Sequence, residues 1–211
     1  LEKAMGDVTQ FLSYRGMCVS KFATSFAAAA LIEGTFTFLG KDADTGVVTT
    51  LPGSPVASQP YEIDNAVSGV RTVWEGGAPI TSTSIMKIDI DIDNNLRPQK
   101  AIGILGLAGI GVGTFAVKGN VDVYFADGTI YQKFLDDVYT SFTFSVQDTA
   151  GNGYIFTIPK VMLTSGKIQA GSKDTDLMAT FTWEAYGDTA NADPALRKTL
   201  FIDRVGVAVA P

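Results

Sequence analysis

Between Ile85 and Asp93 the chain reads Ile-Met-Lys-Ile-Asp-Ile-Asp-Ile-Asp, with Ile88, Ile90 and Ile92 at every second position and Asp89, Asp91 and Asp93 between them. Successive strand side chains point to opposite faces, so the segment reads as a strand with one apolar and one acidic face. Three further segments repeat the alternation. In residues 115–125, Phe115, Val117, Val121, Val123 and Phe125 alternate with Ala116, Lys118, Asn120, Asp122 and Tyr124. In residues 142–147, Phe142, Phe144 and Val146 alternate with Thr143, Ser145 and Gln147. In residues 177–186, Leu177, Ala179, Phe181, Trp183 and Ala185 alternate with Met178, Thr180, Thr182, Glu184 and Tyr186. Four such strands make a sheet with one oily side and one wet side.

The rest of the chain fits around that sheet. Glu33–Leu39 reads as a strand, and residues 1–32 as a separate N-terminal segment. There Val8, Phe11, Leu12 and Arg15 have roughly helical spacing and residues 27–30 are all alanine, which predicts a short helix. Residues 41–77 carry Pro52, Pro55 and Pro60 without a sustained period, and read as a long loop or extended arm. Asn94-Asn95 is a turn signal, and residues 97–113 are glycine-rich and apolar. Ile130, Tyr131, Phe134, Leu135 and Val138 have helical spacing, with Asp127 or Thr129 as the N-cap. A hairpin follows: a strand over 141–147, a turn at 148–153, and a strand over 154–158 stopped by Pro159, with 161–168 as an outward continuation. Strands over 177–186 and 199–207 close the chain. The expected fold is mainly β: an antiparallel β-sandwich or barrel over residues 33–211, with one flanking α-helix and the arm.

Composition narrows the chemistry. The 211 residues include no histidine, which removes the usual neutral-pH general base, the commonest metal ligand and every His-dependent triad. The single cysteine, Cys18, has no partner for an intrachain disulfide and reads as a buried, inert thiol. The net charge is −6, which argues against affinity for nucleic acid built on Lys and Arg clusters. Charged residues make up only 18%, as on surfaces that partner subunits cover. No apolar run is long enough for a membrane-spanning helix, and residues 22–32 lack the cleavage context of a signal peptide.

Motif by motif, the bland reading wins. Asp89, Asp91 and Asp93 have the spacing that opens a calcium loop, but Asn94 and Lys100 stand where such a loop needs Gly and Glu. Gly111, Gly113 and Ala116 match a loose dinucleotide fingerprint, yet a period-two strand follows instead of a helix. Asp136 and Asp137 read as a solvated helix end, and nothing brings Glu184 to them as a glycosidase pair. Trp183 reads as core, and with Trp74 is a weak sugar platform. No catalytic residue, metal or cofactor is expected.

The order of several short motifs resembles a known family. They are DIDNNLRP at 91–98, VKGNVDVYFADG at 117–128, KFL at 133–135, FTIPKV at 156–161, DLMATF at 176–181 and LFIDR at 200–204, with GTFTFLGK at 34–41. Together they resemble the tail tube proteins, or major tail proteins, of bacteriophages with long, non-contractile tails. Residues 41–77 carry no matching motif.

That resemblance implies a structural virion protein, not an enzyme. Subunits of such families form hexameric rings whose inner sheets join into one barrel, and the rings stack into a tube. The tube holds a tape-measure protein before ejection and then conducts genomic DNA, without binding it specifically; tail-end proteins complete the partners. The location implied is the virion tail, after assembly in the host cytoplasm. Candidate lumen-facing residues are Lys87, Asp89, Asp91, Asp93, Lys118, Asn120 and Asp122, and candidate inter-ring contacts are Lys41, Asp42 and Asp44. An acidic lumen repels phosphates and lets the duplex slide. Open sheet edges, a liability in a monomer, are removed by ring closure. The alternative is a monomeric β-sandwich module that binds a carbohydrate or a receptor.

Overall fold

The computed structural model describes residues 1–49, 51, 70, 72–81, 83–125, 128–148, 151–171, 173 and 175–206. In chain order the strands are β1 (Glu2–Met5), β2 (Gln10–Arg15), β3 (Cys18–Ala27), β4 (Glu33–Leu39), β5 (Asp42–Gly46), β6 (Trp74–Glu75), β7 (Ala78–Pro79), β8 (Ile85–Asp93), β9 (Arg97–Gln99), β10 (Gly109–Gly111), β11 (Ala116–Tyr124), β12 (Thr140–Gln147), β13 (Gly153–Gln169), β14 (Met178–Ala185) and β15 (Phe201–Val205). A single α-helix, α1 (Thr129–Leu135), lies between β11 and β12 among the described residues. The largest sheet runs β4-β3-β8-β11-β14-β13-β12-β6-β7, with β15 on β13, and its two ends do not meet. The mainly β, antiparallel, sandwich-like expectation holds; the barrel alternative does not. The chain divides into two compact units, one of Leu1–Phe22, Thr35–Tyr61 and Asp93–Phe115, the other of Ala23–Gly34, Glu62–Ile92 and Ala116–Pro211.

The second unit holds the hydrophobic core. Its sheet folds back on itself through β13, whose first half pairs with β12 and β15 and whose second half pairs with β14. The apolar faces of the two layers meet. Phe142 of β12 lies edge-on to Trp183 of β14, with ring centroids 6.3 Å apart, and Phe26 of β3 packs edge-on against Phe144 and Phe156. Trp183, Phe144, Phe181, Ile90 and Ile158 are fully buried. Each such side chain contributes about 1.5–3 kcal/mol relative to exposure. Tyr131 and Phe134 of α1 extend this aromatic cluster toward Phe125 and Phe181.

Proline does not stop the hairpin's second strand. β13 continues for 17 residues, and Pro159 falls where its register with β12 slips between Thr140 and Phe142. A bulge absorbs a residue that cannot donate to the ladder. It also switches the inward side from Phe156 and Ile158 to Val161 and Leu163. α1 begins at Thr129 with Gly128 at the N-cap, so Thr129 is not the cap, while Asp127 lies outside the described residues. The helix stops at Leu135 rather than Val138; Asp136 is the C-cap, and Asp137 leaves at a positive φ of 55°.

The first unit is built differently. β1, β2 and β5 form a three-stranded antiparallel sheet, with Leu12 opposite Lys3 on one side and Thr45 on the other. β9 and β10 form a short hairpin. The N-terminal segment is therefore strand, not helix. The spacing of Val8, Phe11 and Leu12 is overridden by ladders on both edges of β2, and four alanines are too short to nucleate a helix. Ala27 ends β3, and Ala29 turns with φ 59°. The expected arm at 41–77 starts with strand β5 and ends at β6; residues 50, 52–69 and 71 lie outside the described ones. Cys18 is exposed, contrary to the buried thiol expected. It sits in a unit that buries no hydrophobic side chain among the described residues, so nothing covers it.

Candidate functional site

The wet side of the main sheet is largely polar. Ile88 and Ile90 point into the core, so Lys87, Asp89 and Asp91 stand on the opposite face of β8. On β11, Val117, Val121 and Val123 are buried, which turns Lys118, Asn120 and Asp122 outward. The ladders extend these into rows across three strands: Lys118 faces Glu184, Asn120 faces Thr182 and then Ser165, and Asp122 faces Thr180 and then Lys167.

The rows are tied by short contacts. Thr180 donates its hydroxyl to Asp122 Oδ1 at 2.7 Å, and Thr182 donates to Asn120 Oδ1 at 3.1 Å. Lys87 Nζ meets Asp89 Oδ2 at 2.7 Å. That hydrogen bond holds the Lys87 ammonium above its ordinary pKa; burial opposes it, and the charges of Asp89 and Asp122 add to it. Asp93, at the end of β8, pairs with Lys21 at 2.9 Å. The three aspartates alternate along a strand and two of them meet lysines, unlike a loop that wraps a calcium ion. On these strands Asp89, Asp91, Asp122 and Glu184 stand with Lys87, Lys118, Lys160 and Lys167, so the surface is mixed in charge.

Sequence reading missed part of this surface. Thr180, Thr182 and Glu184 alternate visibly along β14, but only the register places them beside Asn120 and Asp122. Lys167 falls in the outward continuation expected over 161–168, and only the register sets it beside Thr180. The other candidates lie in the first unit. Asp42 and Asp44 are on β5, opposite Arg15 and Ser13, and Asp44 pairs with Arg15 at 2.5 Å. Lys41 precedes β5, and its carbonyl accepts the Leu107 N–H at 2.9 Å. Gly111 and Gly113 lead into strand β11, so no helix N-terminus stands there to receive a pyrophosphate.

A buried polar knot fixes the helix. Glu75 of β6 accepts from Lys133 Nζ at 2.6 Å on both carboxylate oxygens and from the Thr140 hydroxyl. Its side chain is only 11% exposed, so the carboxylate depends on these partners.

The model of one family, described as phage tail tube protein, matches residues 2–185. The chain belongs to the phage tail tube protein family. No curated protein matches it. As a tail tube protein it is a structural component of the bacteriophage virion, placed in the tail, where it assembles into a tube with other tail components. The match covers the motifs from 34 to 181 and also residues 41–77, which carried no motif; the motif at 200–204 lies beyond it.

Proposed function

We propose that this tail tube protein forms hexameric rings that stack into the tube of a long, non-contractile tail, with the polar face of β8, β11 and β14 lining the channel. The observation that carries the reading is the asymmetry of the sheet: one face builds the core, while the other is largely polar from Lys87 to Lys167. Around a channel such a face supplies a water-wetted wall. The sheet also ends on β4, an outer strand exposed along nearly all of its length. An uncovered strand edge is a ready template for pairing, and closed symmetry removes it.

The channel chemistry follows from charge. Duplex DNA carries about one negative charge per 1.7 Å of axis, and each lysine contact with a phosphate adds salt-dependent affinity. On this face Lys87 is held by Asp89 and further attracted to Asp122, while Asp91 stays exposed. The wall interleaves carboxylates with its ammoniums instead of presenting a cationic track, so DNA passes without being gripped. The same wall accommodates the tape-measure protein before ejection, tail-end proteins close the tube, and assembly takes place in the host cytoplasm. No catalytic step is part of this role.

Sedimentation velocity of the purified protein over a concentration series, with negative-stain microscopy of the same samples, tests the proposal. Rings and then tubes are expected as concentration rises. A single monomeric species throughout overturns it.

A further inference from the structure

The second unit has another outward face, on β6, β12, the first half of β13 and β15, which the channel role leaves unused. We propose that a groove on this face, built around Trp74, binds a neutral carbohydrate.

Parity aims Trp74 away from the core. Glu75 pairs with Phe142 and is nearly buried, and Val73 packs against the core, so Thr72 and Trp74 stand on the opposite side. Trp74 is 44% exposed, whereas Trp183 is fully buried. Thr143 faces Trp74 in the ladder, and Ser145 faces Ile155 one row further on. Together with Thr72 these side chains line a groove of about 330 Å³. Small-ligand clefts have this size and this make-up, apolar surface with a few convergent polar groups.

The lining fits the two sides of a sugar. A pyranose has a face of C–H groups and a rim of hydroxyls. The negative face of an indole attracts the C–H groups. Thr72, Thr143 and Ser145 supply hydroxyls that both donate and accept, and none of the three has a hydrogen-bond partner among the described residues. The register adds a carboxylate. Ile155 faces Asp203 of β15, which puts Asp203 on the same face beside the groove. Asp203 is exposed and makes no ion pair among the described residues. Its two oxygens can accept from two sugar hydroxyls at once.

Charge and polarity select among occupants. No lysine or arginine lines the groove among the described residues, so a phosphate, sulfate or sialic acid would meet Asp203 with no cation to offset it. An apolar protein anchor would leave three hydroxyls without partners, at a cost for each. A neutral sugar satisfies the ring and the hydroxyls together.

Fluorescence tests the proposal directly. The chain has two tryptophans and one of them is fully buried, so iodide quenching reports on Trp74. The full-length protein is titrated with maltohexaose, cellohexaose, chitohexaose and mannohexaose, and in parallel with heparin and polysialic acid. At least one neutral oligosaccharide should bind and protect Trp74 from iodide. Trp74→Ala should keep a native circular dichroism spectrum and lower that affinity, measured by calorimetry, about ten-fold or more. Thr143→Val keeps the side-chain shape and should lower it about three- to ten-fold, which tests the site even if the alanine variant misfolds. Failure of every neutral probe at millimolar concentration overturns the proposal, as does binding of the anionic probes alone. Wild-type affinity in Thr143→Val and in a folded Trp74→Ala also overturns it. Binding is read whether or not the protein assembles, so the outcome is independent of the ring and channel reading.

Discussion

Gly119 stands directly opposite Trp183 in the β11–β14 ladder, and the indole occupies the space that a side chain at 119 would need. A Cβ built on Gly119 comes within 2.6 Å of Trp183 Cζ2 and closer still to the Asp89 carbonyl oxygen. One strand position thus joins the core tryptophan to the backbone of the acidic strand.

Gly119→Ala should therefore overpack the core and separate β11 from β8. We expect a loss of about 1–3 kcal/mol or more, read as a lower urea midpoint with an unchanged m-value. A variant as stable as the wild type would show that β8 and β11 yield more easily than the packing implies.

Trp183 is fully buried, and its indole N–H has no hydrogen-bond partner among the described residues. Truncation to alanine should cost about 3–5 kcal/mol. Trp183→Phe should cost far less, because it keeps a ring against Phe142 and removes a buried, unpaired donor. Equal losses for the two variants would show that the indole N–H is paired in solution. Chemical denaturation of the pair decides.

Glu75 ties β6 to both α1 and β12 through Lys133 and Thr140. Glu75→Ala should leave a half-buried ammonium and a buried hydroxyl without their acceptor, at a cost of about 1–3 kcal/mol. Hydrogen exchange should quicken in α1 and in β6–β7 while the β11–β14 ladder stays protected. Uniform exchange across the chain would place the knot within the global folding unit.

Lys87 is held charged by Asp89, so its contribution is fully present below the ordinary lysine pKa of 10.5 and is lost as pH rises through the raised value. Asp89→Asn should abolish that dependence. The melting-temperature difference between the two proteins should be small, because Lys87 is 40% exposed, and should vanish at strongly alkaline pH. A difference that grows with pH would reverse the sign and refute the pairing.

Changing Asp89, Asp91 and Asp93 together to lysine should leave the fold nearly intact, because Ile88 and Ile90 carry the packing of β8. Phage carrying that change should assemble tails but release DNA slowly at low salt, with the delay relieved as salt rises. Normal release kinetics from intact tails would turn this face away from the channel.

Much of the second unit was legible because a buried face imposes a period of two. The bounds of β8 follow directly from the alternation, and Trp183 falls inward as its parity requires. Pro159 misled because the bulge that tolerates it arises from pairing with β12 near Thr140 and Phe142, which no local pattern around the proline reveals. In the first unit only the part of β4 over 35–39 was legible. Its strands bury no apolar face, so β1, β2 and β5 carry no alternation, and long-range pairing alone defines them. The polar surface was half legible: each strand declares its outward residues, but the register that sets Asp122 beside Thr180 and Lys167 exists only after folding.

A helical reconstruction by cryo-electron microscopy of tubes grown from the purified protein would show both the ring symmetry and the face that lines the channel. Stacked six-fold rings with Lys87, Asp89, Lys118 and Asp122 on the channel wall are expected. Tubes in which that face of β8 and β11 points outward, or rings without six-fold symmetry, would contradict that expectation.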